Sequence, residues 1–264
     1  MSDFLNILDS VKRISVEAGK IILSYYNDTD IGSSLEIKPD NSPVTIADKK
    51  SSDFIIANLK KLTPEFPVIS EEEISYSYKE RKNFKYFWLV DPLDGTKEFI
   101  KRNGEFTVNI ALIHRKFPIL GVVYAPVSNT LYWGYKNNGS YRMEDNIVSR
   151  LKVSLIKENK KNIRIVTSRS HLDNETLEYC NKFEEPVLIK RGSSLKFMDI
   201  ASGKADLYFR FASIKEWDTA ASHIIVEEAG GQLKNIANGK NIYYNKKNLK
   251  IPGFLVSGNL NHKH

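Results

Sequence analysis

The sequence has little of what several classes of protein depend on. Among its 264 residues there is a single cysteine, Cys180, which excludes an internal disulfide and a thiolate metal cluster and suits a reducing compartment. Its longest unbroken apolar run, residues 86–90, is far shorter than the roughly 20 residues of a membrane-spanning helix. Its first residues contain an acid and no basic stretch before an apolar one, which argues against a signal peptide. We therefore expect a cytoplasmic protein with no transmembrane segment.

Acidic residues are outnumbered by basic ones, 32 to 39, which gives a formal net charge of +7. Such an excess can attract nucleic acid, anionic lipid or small anions. The lysines occur in scattered pairs, such as Lys49–Lys50 and Lys160–Lys161, and not in one block. We interpret most of this charge as solvated surface, with a local positive funnel for an anionic substrate. A basic nucleic-acid-binding protein without catalysis is the alternative from another functional class.

Apolar residues make up 41% of the chain, enough for a compact fold, and their spacing predicts its elements. Residues 1–150 predict an α+β half, with helices over 3–27 and 48–62 on one side of a sheet. Residues 151–264 predict an α/β half, in which strands alternate with helices over 194–202 and 218–229. The polar segment 145–160 marks the boundary between the halves. The predicted strands cover residues 67–70, 84–90, 106–113, 119–124, 130–135, 163–167, 187–189 and 207–209.

Two carboxylates follow directly on a predicted buried strand. Asp91 and Asp94 are separated by Pro92, which stiffens the backbone, and by Leu93. Gly95 permits a tight turn, so both carboxylates and the Leu93 carbonyl can converge on one point. Clustered oxygen ligands of this kind suit Mg²⁺. Asp-Pro and Asp-Gly are also ordinary turn formers, and from the residues alone this alternative stays open.

Two further acidic groups lie at the ends of elements. The acidic run 71–73 follows the short strand 67–70; Glu71 is its best-placed candidate ligand, and a solvated loop is the alternative. Asp218 opens a predicted helix beside Trp217, where it is either a metal ligand or simply an N-cap. The repetition of carboxylates at element ends favours a metal site over three unrelated turns.

These segments make the chain similar to the inositol monophosphatase superfamily of Mg²⁺-dependent, lithium-sensitive phosphatases. The superfamily's acidic pair, its Asp-Pro-x-Asp-Gly-Thr signature and its Trp-Asp-x-Ala-Ala signature match residues 71–72, 91–96 and 217–221, in the same order and spacing. The continuation 97–109 resembles the bacterial 3′(2′),5′-bisphosphate nucleotidases of the CysQ type rather than the inositol branch. Segments 41–48, 168–171 and 192–196 also resemble that branch. The resemblance extends from the first helix to Val256.

The resemblance implies the layered αβαβα sugar-phosphatase fold, with the active site between the two halves. It implies hydrolysis of adenosine 3′,5′-bisphosphate to AMP and phosphate, with the 3′-phosphorylated sulfate donor of sulfur assimilation as a second substrate. The alternative within the superfamily is an inositol or sugar monophosphatase. The partner is then a small nucleotide bisphosphate and not nucleic acid, and a weak peripheral contact with the inner membrane is left open.

The resemblance also implies roles for individual residues. Two or three Mg²⁺ ions would be held by Glu71, Asp91, the Leu93 carbonyl, Asp94 and Asp218. Asp48 and Thr96 match the pair that orients the attacking water, with Glu71 as the third catalytic residue. From the residues alone, Asp48 is also explained as a cap of its helix. Substrate contacts are implied for Glu71, Leu93, Asp94, Gly95, Thr96, His171, Ser193, Lys196, Arg210 and Asp218.

Overall fold

The computed structural model describes residues 2–27, 36–37, 43–156, 161–170 and 174–260. His171 and residues 41–42, which belong to two of the segments quoted above, lie outside the described residues. The described helices are α1 (Ser2–Tyr26), α2 (Ile46–Leu62), α3 (Tyr78–Arg81), α4 (Thr96–Ile100), α5 (Asn174–Cys180), α6 (Leu195–Ala201) and α7 (Trp217–Glu228).

The first half of the chain builds a seven-stranded sheet whose strands lie in sequence order. Its first two strands are parallel, and every later pair is antiparallel. A short antiparallel pair, β1 (Glu36–Ile37) and β2 (Pro43–Val44), precedes α2. The strands of the sheet are β3 (Val68–Ser70), β4 (Tyr86–Asp94), β5 (Thr107–His114), β6 (Phe117–Ala125), β7 (Thr130–Tyr135), β8 (Ser140–Glu144) and β9 (Ile147–Arg150).

The second half builds a five-stranded mixed sheet and two short pairs. The short pairs are β10 (Leu155–Ile156) with β18 (Asn259–Leu260), and β14 (Ile214–Lys215) with β16 (Lys250–Ile251). The strands of the five-stranded sheet are β11 (Arg164–Ser168), β12 (Val187–Arg191), β13 (Leu207–Arg210), β15 (Gln232–Asn235) and β17 (Phe254–Ser257). Their order in the sheet is β12-β11-β13-β17-β15, in which the first three strands are parallel.

The seven-stranded sheet is covered on both faces. Successive residues of a strand point to opposite faces, and in this sheet the residues on both faces are apolar. Trp88 and Val90 face α1 and α2, whereas Leu89 and Ala111 face α7. The sequence led us to expect helices on one side only; the opposite side is covered by a helix from the second half of the chain. These layers confirm the expected α+β architecture. In the described part of the chain, no helix has the length and apolar character needed to cross a bilayer.

Two glycines let α7 lie close to this sheet. Gly121 of β6 and Gly134 of β7 are cross-strand partners. A Cβ atom at Gly121 would lie 2.4 Å from the Ala221 carbonyl oxygen, and one at Gly134 would lie 3.0 Å from the Ile225 Cα. The helix therefore fits only because both positions lack a side chain. These contacts lie in the second and third turns of α7, the helix whose first turn carries Asp218.

Candidate active site

A β-bulge at the end of β4 sets the directions of two carboxylates. Asp91 pairs with Asn109 of β5 and Asp94 with Thr107, so β4 has one residue more than β5 over this stretch. Asp91 is 1% exposed, and its Oδ1 accepts a hydrogen bond from the Leu93 backbone N–H at 3.2 Å. The extra residue breaks the strand alternation, so Asp91 stays in the sheet interior while Asp94 turns toward the second half of the chain.

Three carboxylates from separate elements meet at this edge of the sheet. Glu71 directly follows β3, and its backbone N–H donates to the Val90 carbonyl of the neighbouring β4 at 3.0 Å. Asp218 comes from the first turn of α7. Glu71, Asp91 and Asp218 each offer one oxygen, and these atoms lie within 4.8 Å of one another. Glu71 is thus the member of the acidic run 71–73 that belongs to the group.

The cluster formed by Glu71, Asp91 and Asp218 is electrostatically unfavourable without a cation. Burial is the largest cause that raises the pKa of Asp91 and Asp218 well above the usual range, and the charges of Glu71 and Asp94 raise both further. The Trp217 indole N–H donates to Glu71 Oε2 at 3.0 Å, which fixes this carboxylate without neutralising it. Buried oxygens that repel one another are a suitable donor set for a hard cation. The acidic cluster therefore fits a metal site.

Asp94 lies beside this group and is held by the second half of the chain. Its Oδ2 accepts hydrogen bonds from the hydroxyls of Ser193 and Ser194, both at 2.7 Å, and from Asn109 Nδ2 at 3.4 Å. The Thr107 and Ser193 hydroxyls are 2.8 Å apart and add a second link between β5 and this loop. Three donors on one oxygen fix the direction in which the other oxygen of Asp94 points.

Asp48 and Thr96 form a second polar pair near the carboxylates. Asp48 is the third residue of α2, and its Oδ2 accepts hydrogen bonds from the Thr45 backbone N–H at 2.7 Å and the Thr45 hydroxyl at 2.6 Å. Its Oδ1 accepts a hydrogen bond from the Thr96 hydroxyl at 3.0 Å. Burial is the largest influence on the pKa of Asp48 and raises it, while these hydrogen bonds oppose the rise. The interpretation of Asp48 as a helix cap therefore accounts for its Oδ2, whereas its Oδ1 accepts the hydrogen bond from Thr96.

Gly95 makes the connection between β4 and α4 possible. Its φ of 94° is in the left-handed region, where a side chain is strained. A Cβ at this position would lie 3.1 Å from the Ser193 Cβ and 3.2 Å from the Glu105 carbonyl oxygen. The turn places Thr96 at the first position of α4, with its hydroxyl 3.4 Å from the Leu93 carbonyl oxygen.

A cleft of about 100 Å³ opens beside the carboxylates. Lys196 is 6% exposed, and its Nζ donates to the Ser193 carbonyl at 2.6 Å. Burial is the largest cause of the lowered pKa of Lys196. Arg210 ends β13, and its Nε is buried with no hydrogen-bond partner among the described residues. The cleft is lined by Asp94, Ser193, Ser194, Lys196, Phe197, Tyr208, Arg210, Ile214 and Asp218.

The structure corrects one local interpretation. The N-cap alternative for Asp218 is wrong, because α7 begins at Trp217 with Glu216 at its N-cap. Asp218 lies inside the first turn, and its Oδ2 accepts a hydrogen bond from the Lys215 backbone N–H at 3.0 Å. Lys196 is the second residue of the seven-residue α6, and its side chain is buried.

Three residues donate side-chain hydrogen bonds to Glu71 or Asp94 and were not predicted as site residues: Asn109, Ser194 and Trp217. Each occurs in a segment that carries the resemblance, and this is their only signal in the sequence. Their carboxylate partners lie in distant segments, so no spacing along the chain reveals the contacts.

Comparisons with known proteins agree with this geometry. Residues 6–260 match the model of the inositol monophosphatase family. The 3′(2′),5′-bisphosphate nucleotidase CysQ of Escherichia coli (strain K12) is 42% identical over 254 residues, which cover 95% of this chain and 99% of that protein. The CysQ nucleotidase of Buchnera aphidicola is 43% identical over 234 residues, which cover 88% of this chain and 86% of that protein.

Solved structures show the same fold. The crystal structure of CysQ from Bacteroides thetaiotaomicron has a TM-score of 0.81 and 40% identity, and the match covers 95% of this chain and 97% of that one. The inositol monophosphatase of Thermotoga maritima has a TM-score of 0.79 at 23% identity, and its likeness concerns the fold alone. Since the family model spans residues 6–260 and full-length relatives exceed 40% identity, this chain belongs to the inositol monophosphatase family.

Proposed function

We propose that this protein is a Mg²⁺-dependent phosphatase that hydrolyses adenosine 3′,5′-bisphosphate to AMP and phosphate. One observation carries the proposal: the Glu71–Asp91–Asp218 group adjoins the cleft that contains Lys196 and Arg210, since Asp218 belongs to both. Its high identity to CysQ nucleotidases supports a nucleotide bisphosphate over an inositol phosphate as substrate. The 3′-phosphorylated sulfate donor carries the same 3′-phosphate and is the second substrate of this proposal.

The metal of this proposal is held by Glu71, Asp91, Asp94, Asp218 and the Leu93 carbonyl. A donor set made only of oxygen atoms suits Mg²⁺. Burial raises the pKa of Asp91 and Asp218, and the neighbouring charges of Glu71 and Asp94 raise it further. Two or three divalent ions are proposed to offset this clustered negative charge. When bound, such ions offset the charge of the phosphate oxygens and lower the pKa of water.

Asp48 and Thr96 are proposed to position the attacking water. The Thr96 hydroxyl places its proton in the hydrogen bond to Asp48 Oδ1, at 3.0 Å. Its oxygen lone pairs then remain to accept a hydrogen bond from water. Accepting one proton of the water directs a lone pair of that water toward phosphorus, which is the geometry that attack requires.

Arg210 and Lys196 are proposed to anchor the part of the substrate away from the carboxylates. A buried guanidinium Nε without a hydrogen-bond partner in the described chain indicates a group that a ligand completes. Guanidinium binds phosphate with parallel hydrogen bonds, and the Lys196 Nζ, held by the Ser193 carbonyl, lies at the same cleft. This arrangement suits a 5′-phosphate in the cleft and a 3′-phosphate at the carboxylates. His171, which the resemblance also implies as a substrate contact, stays a prediction.

A cytoplasmic location and a small-molecule partner belong to the same proposal. The single cysteine, Cys180, is unpaired and buried, which suits a reducing compartment. The chemistry of the site, with clustered oxygens beside two cationic side chains, fits a small phosphorylated substrate.

Phosphorus NMR of the products tests the proposal. With Mg²⁺ we expect AMP and phosphate in equal amounts, no reaction in EDTA, and suppression by lithium and by excess calcium. Calcium is larger and tolerates looser geometry, so it occupies oxygen sites without the alignment that Mg²⁺ imposes. Full turnover in EDTA would refute the metal assignment, and formation of adenosine 3′-monophosphate would refute the placement of the two phosphates. No release from the bisphosphate would refute the function.

A further inference from the structure

A second concave site lies apart from the carboxylates, and we call it the basic cleft. It is formed by Tyr78 at the start of α3 and Lys82 just after its end, by the β5–β6 turn with Arg115 and Lys116, and by the loop 243–248. Its volume is about 790 Å³, within the range of small-molecule sites. It shares no lining residue with the cleft beside Asp94 and Asp218. It therefore belongs to a different surface from the proposed active site.

The side chains that line the basic cleft carry charge of one sign. Lys82, Arg115, Lys116, Lys246 and Lys247 line it, and no acidic residue does. Lys246 is paired, at 2.9 Å, with a carboxylate behind the cleft. The other four cations make no ion pair with any residue that the structure describes. Like charges gathered in a concavity produce a local positive potential that attracts anions.

Buried hydrogen bonds hold the loop of the basic cleft in place. Arg81 is 3% exposed and donates to Asn245 Oδ1 at 2.8 Å and to the carbonyls of Lys246 at 2.9 Å and Lys247 at 2.8 Å. The buried carboxylate of Glu216 accepts hydrogen bonds from the backbone N–H groups of Asn245 at 2.6 Å and Lys246 at 2.9 Å. The loop is thus tied to α3 and to the start of α7. The cleft is formed before any ligand arrives, which reduces the ordering cost of binding.

Arg115 occupies a backbone position that disfavours a side chain. It lies in the two-residue turn between β5 and β6 with a φ of 57°, where glycine is preferred. The turn places Arg115 and Lys116 side by side on the rim of the cleft. The neighbouring His114 has a lowered pKa, first because of burial and then because of the charges of Arg115, Lys85 and Lys136. Arg115 and Lys116 thus add two exposed cations to the rim of the cleft.

We infer that the basic cleft binds a small, soluble anion with several linked phosphate groups, such as inorganic tripolyphosphate or a nucleoside triphosphate. One phosphate is satisfied by one or two cations, so four unpaired cations around one cleft suit a chain of phosphates. The concave volume of about 790 Å³ accommodates a molecule of nucleotide size, whereas a membrane surface or a nucleic-acid duplex needs a broad, open face. This site goes beyond the proposed phosphatase activity and takes no part in it.

Isothermal titration calorimetry of the full chain in EDTA tests this inference, with tripolyphosphate and ATP as the two probes. We expect saturable binding that weakens as salt is added. The paired change Arg115→Glu and Lys247→Glu is expected to weaken binding by about tenfold or more. The matched control, Lys60→Glu and Lys240→Glu, changes the net charge equally at exposed positions outside the cleft and should bind as the unmodified chain does. Arg210→Ala, in the other cleft, should also leave binding unchanged.

A second variant separates a loss of binding from a loss of the fold. Arg115→Gly removes one cation and relaxes the left-handed backbone, so it should weaken binding while the melting temperature is kept or raised. Binding of both probes supports the inference and assigns recognition to the phosphates, and binding of ATP alone supports it with a role for the nucleoside. It is overturned if neither probe binds, if the control pair weakens binding equally, or if Arg210→Ala abolishes it. Binding only to vesicles that contain phosphatidylglycerol would also overturn it.

Discussion

The carboxylates of the proposed active site are oriented by neutral donors. Asp91 accepts from a backbone N–H, Asp218 from another, and Glu71 from an indole N–H. The hydrogen bonds to Asp94 come from hydroxyl and amide groups, and those to Asp48 from Thr45 and Thr96. Neutral donors fix the direction of a carboxylate and leave its charge in place. These donors therefore leave the charge of the carboxylates to be offset by a cation, and ionising the carboxylates in the metal-free protein costs stability.

The stability of Asp218→Asn in EDTA tests this cost. In the folded protein burial and neighbouring charges raise the pKa of Asp218, so the ionised form is disfavoured there relative to the unfolded chain. The contribution of Asp218 to stability is complete below its unfolded pKa, about 3.9, and is lost as pH rises through the raised folded pKa. We therefore expect Asp218→Asn to melt higher than the unmodified protein at pH 8, and the difference to shrink toward pH 4. Thermal melts across this range measure it.

The same variant should lose most of its activity while staying folded. A missing ligand removes several kcal/mol of charge stabilisation, so turnover should fall by about a hundredfold or more. Glu73→Gln is the matched control, because Glu73 lies in the same acidic run, is exposed and accepts a hydrogen bond from Ser75 at 2.5 Å. The assignment of Asp218 as a metal ligand would be contradicted if the melting temperatures of Asp218→Asn and the unmodified protein depended equally on pH. Near-normal turnover of Asp218→Asn would also contradict it.

Substrate choice is predicted to depend on Arg210. A charge-assisted hydrogen bond is worth roughly 1.5–3 kcal/mol, so Arg210→Ala should lower kcat/KM for adenosine 3′,5′-bisphosphate by about tenfold to a hundredfold. Hydrolysis of a small monophosphate such as p-nitrophenyl phosphate should change little, because Arg210 is not a proposed metal ligand. Arg150→Ala, at an exposed position of β9, is the control. An equal loss of kcat/KM for both substrates would mean that Arg210 stabilises the fold or the metal site and does not bind the bisphosphate.

Lys196 is a less direct probe of the same cleft. Its Nζ donates to the Ser193 carbonyl in the interior, so Lys196→Ala removes a buried hydrogen bond together with a charge. We expect this variant to combine weaker use of the bisphosphate with a lower melting temperature, in contrast to Arg210→Ala, which should affect the substrate alone.

At the scale of elements, hydrophobic periodicity predicted most of the regular structure. The helix predicted over 3–27 is observed as α1, and its apolar positions Val11, Ile14, Ala18 and Ile22 are buried. All of the predicted strands form. The sequence did not predict α3, α4, α5, β8, β9, β15 and β17, nor the two-residue strands. All of these elements are short, from two to seven residues, so few positions are available to show a periodic pattern.

The fit of α7 on the sheet gives a prediction for Gly121. In the middle of a strand, Gly→Ala normally stabilises a protein by roughly 0.5–1 kcal/mol. Here the added Cβ would lie 2.4 Å from the Ala221 backbone oxygen, so Gly121→Ala must push α7 off the sheet. We expect a loss of about 1–3 kcal/mol in the free energy of unfolding, measured in urea.

Activity should fall with stability in this variant, because α7 carries Asp218. Val148→Ala, at an exposed position of β9, serves as the comparison and should stay within about 0.5 kcal/mol. An unfolding free energy of Gly121→Ala equal to or above that of the unmodified chain would show that the helix is not held by this contact.

Glu105 is predicted to position the loop that holds Asp94. It accepts a bidentate pair of hydrogen bonds from Arg169 at 2.7 and 2.8 Å and one from the Gly192 N–H at 2.7 Å. Burial raises the pKa of Glu105, but these donors and Arg191 outweigh it, so the pKa is lowered overall. Glu105→Gln should weaken the hydrogen bonds to Arg169 and Gly192, displace Ser193 from Asp94 and lower kcat by about tenfold.

The readout that identifies positioning is the Mg²⁺ dependence. Displacement of the loop should raise the Mg²⁺ concentration needed for half-maximal rate in Glu105→Gln, whereas a general loss of stability would leave it unchanged. Glu184→Gln, which breaks an exposed ion pair with Lys161, is the control and should alter neither quantity.

At the scale of the whole molecule, the two halves share one interior. A single hydrophobic cluster joins Phe87 and Ile113 of the first sheet to Phe197, Ile225 and Val256 of the second half. The sequence resemblance indicated the fold and the carboxylates, because both depend on motifs. It could not indicate the cover that α7 provides or the serine donors on Asp94, because these arise from packing between segments far apart in the chain. The division at residues 145–160 stays a prediction.

The central claim is that this chain hydrolyses a nucleotide bisphosphate at a metal site next to a cationic cleft. The most direct test is kcat/KM for adenosine 3′,5′-bisphosphate against inositol 1-phosphate, from phosphate release by the full chain with Mg²⁺. We predict a preference for the bisphosphate of at least about tenfold, the size of one charge-assisted contact. Equal values, or a preference for inositol 1-phosphate, would contradict the account.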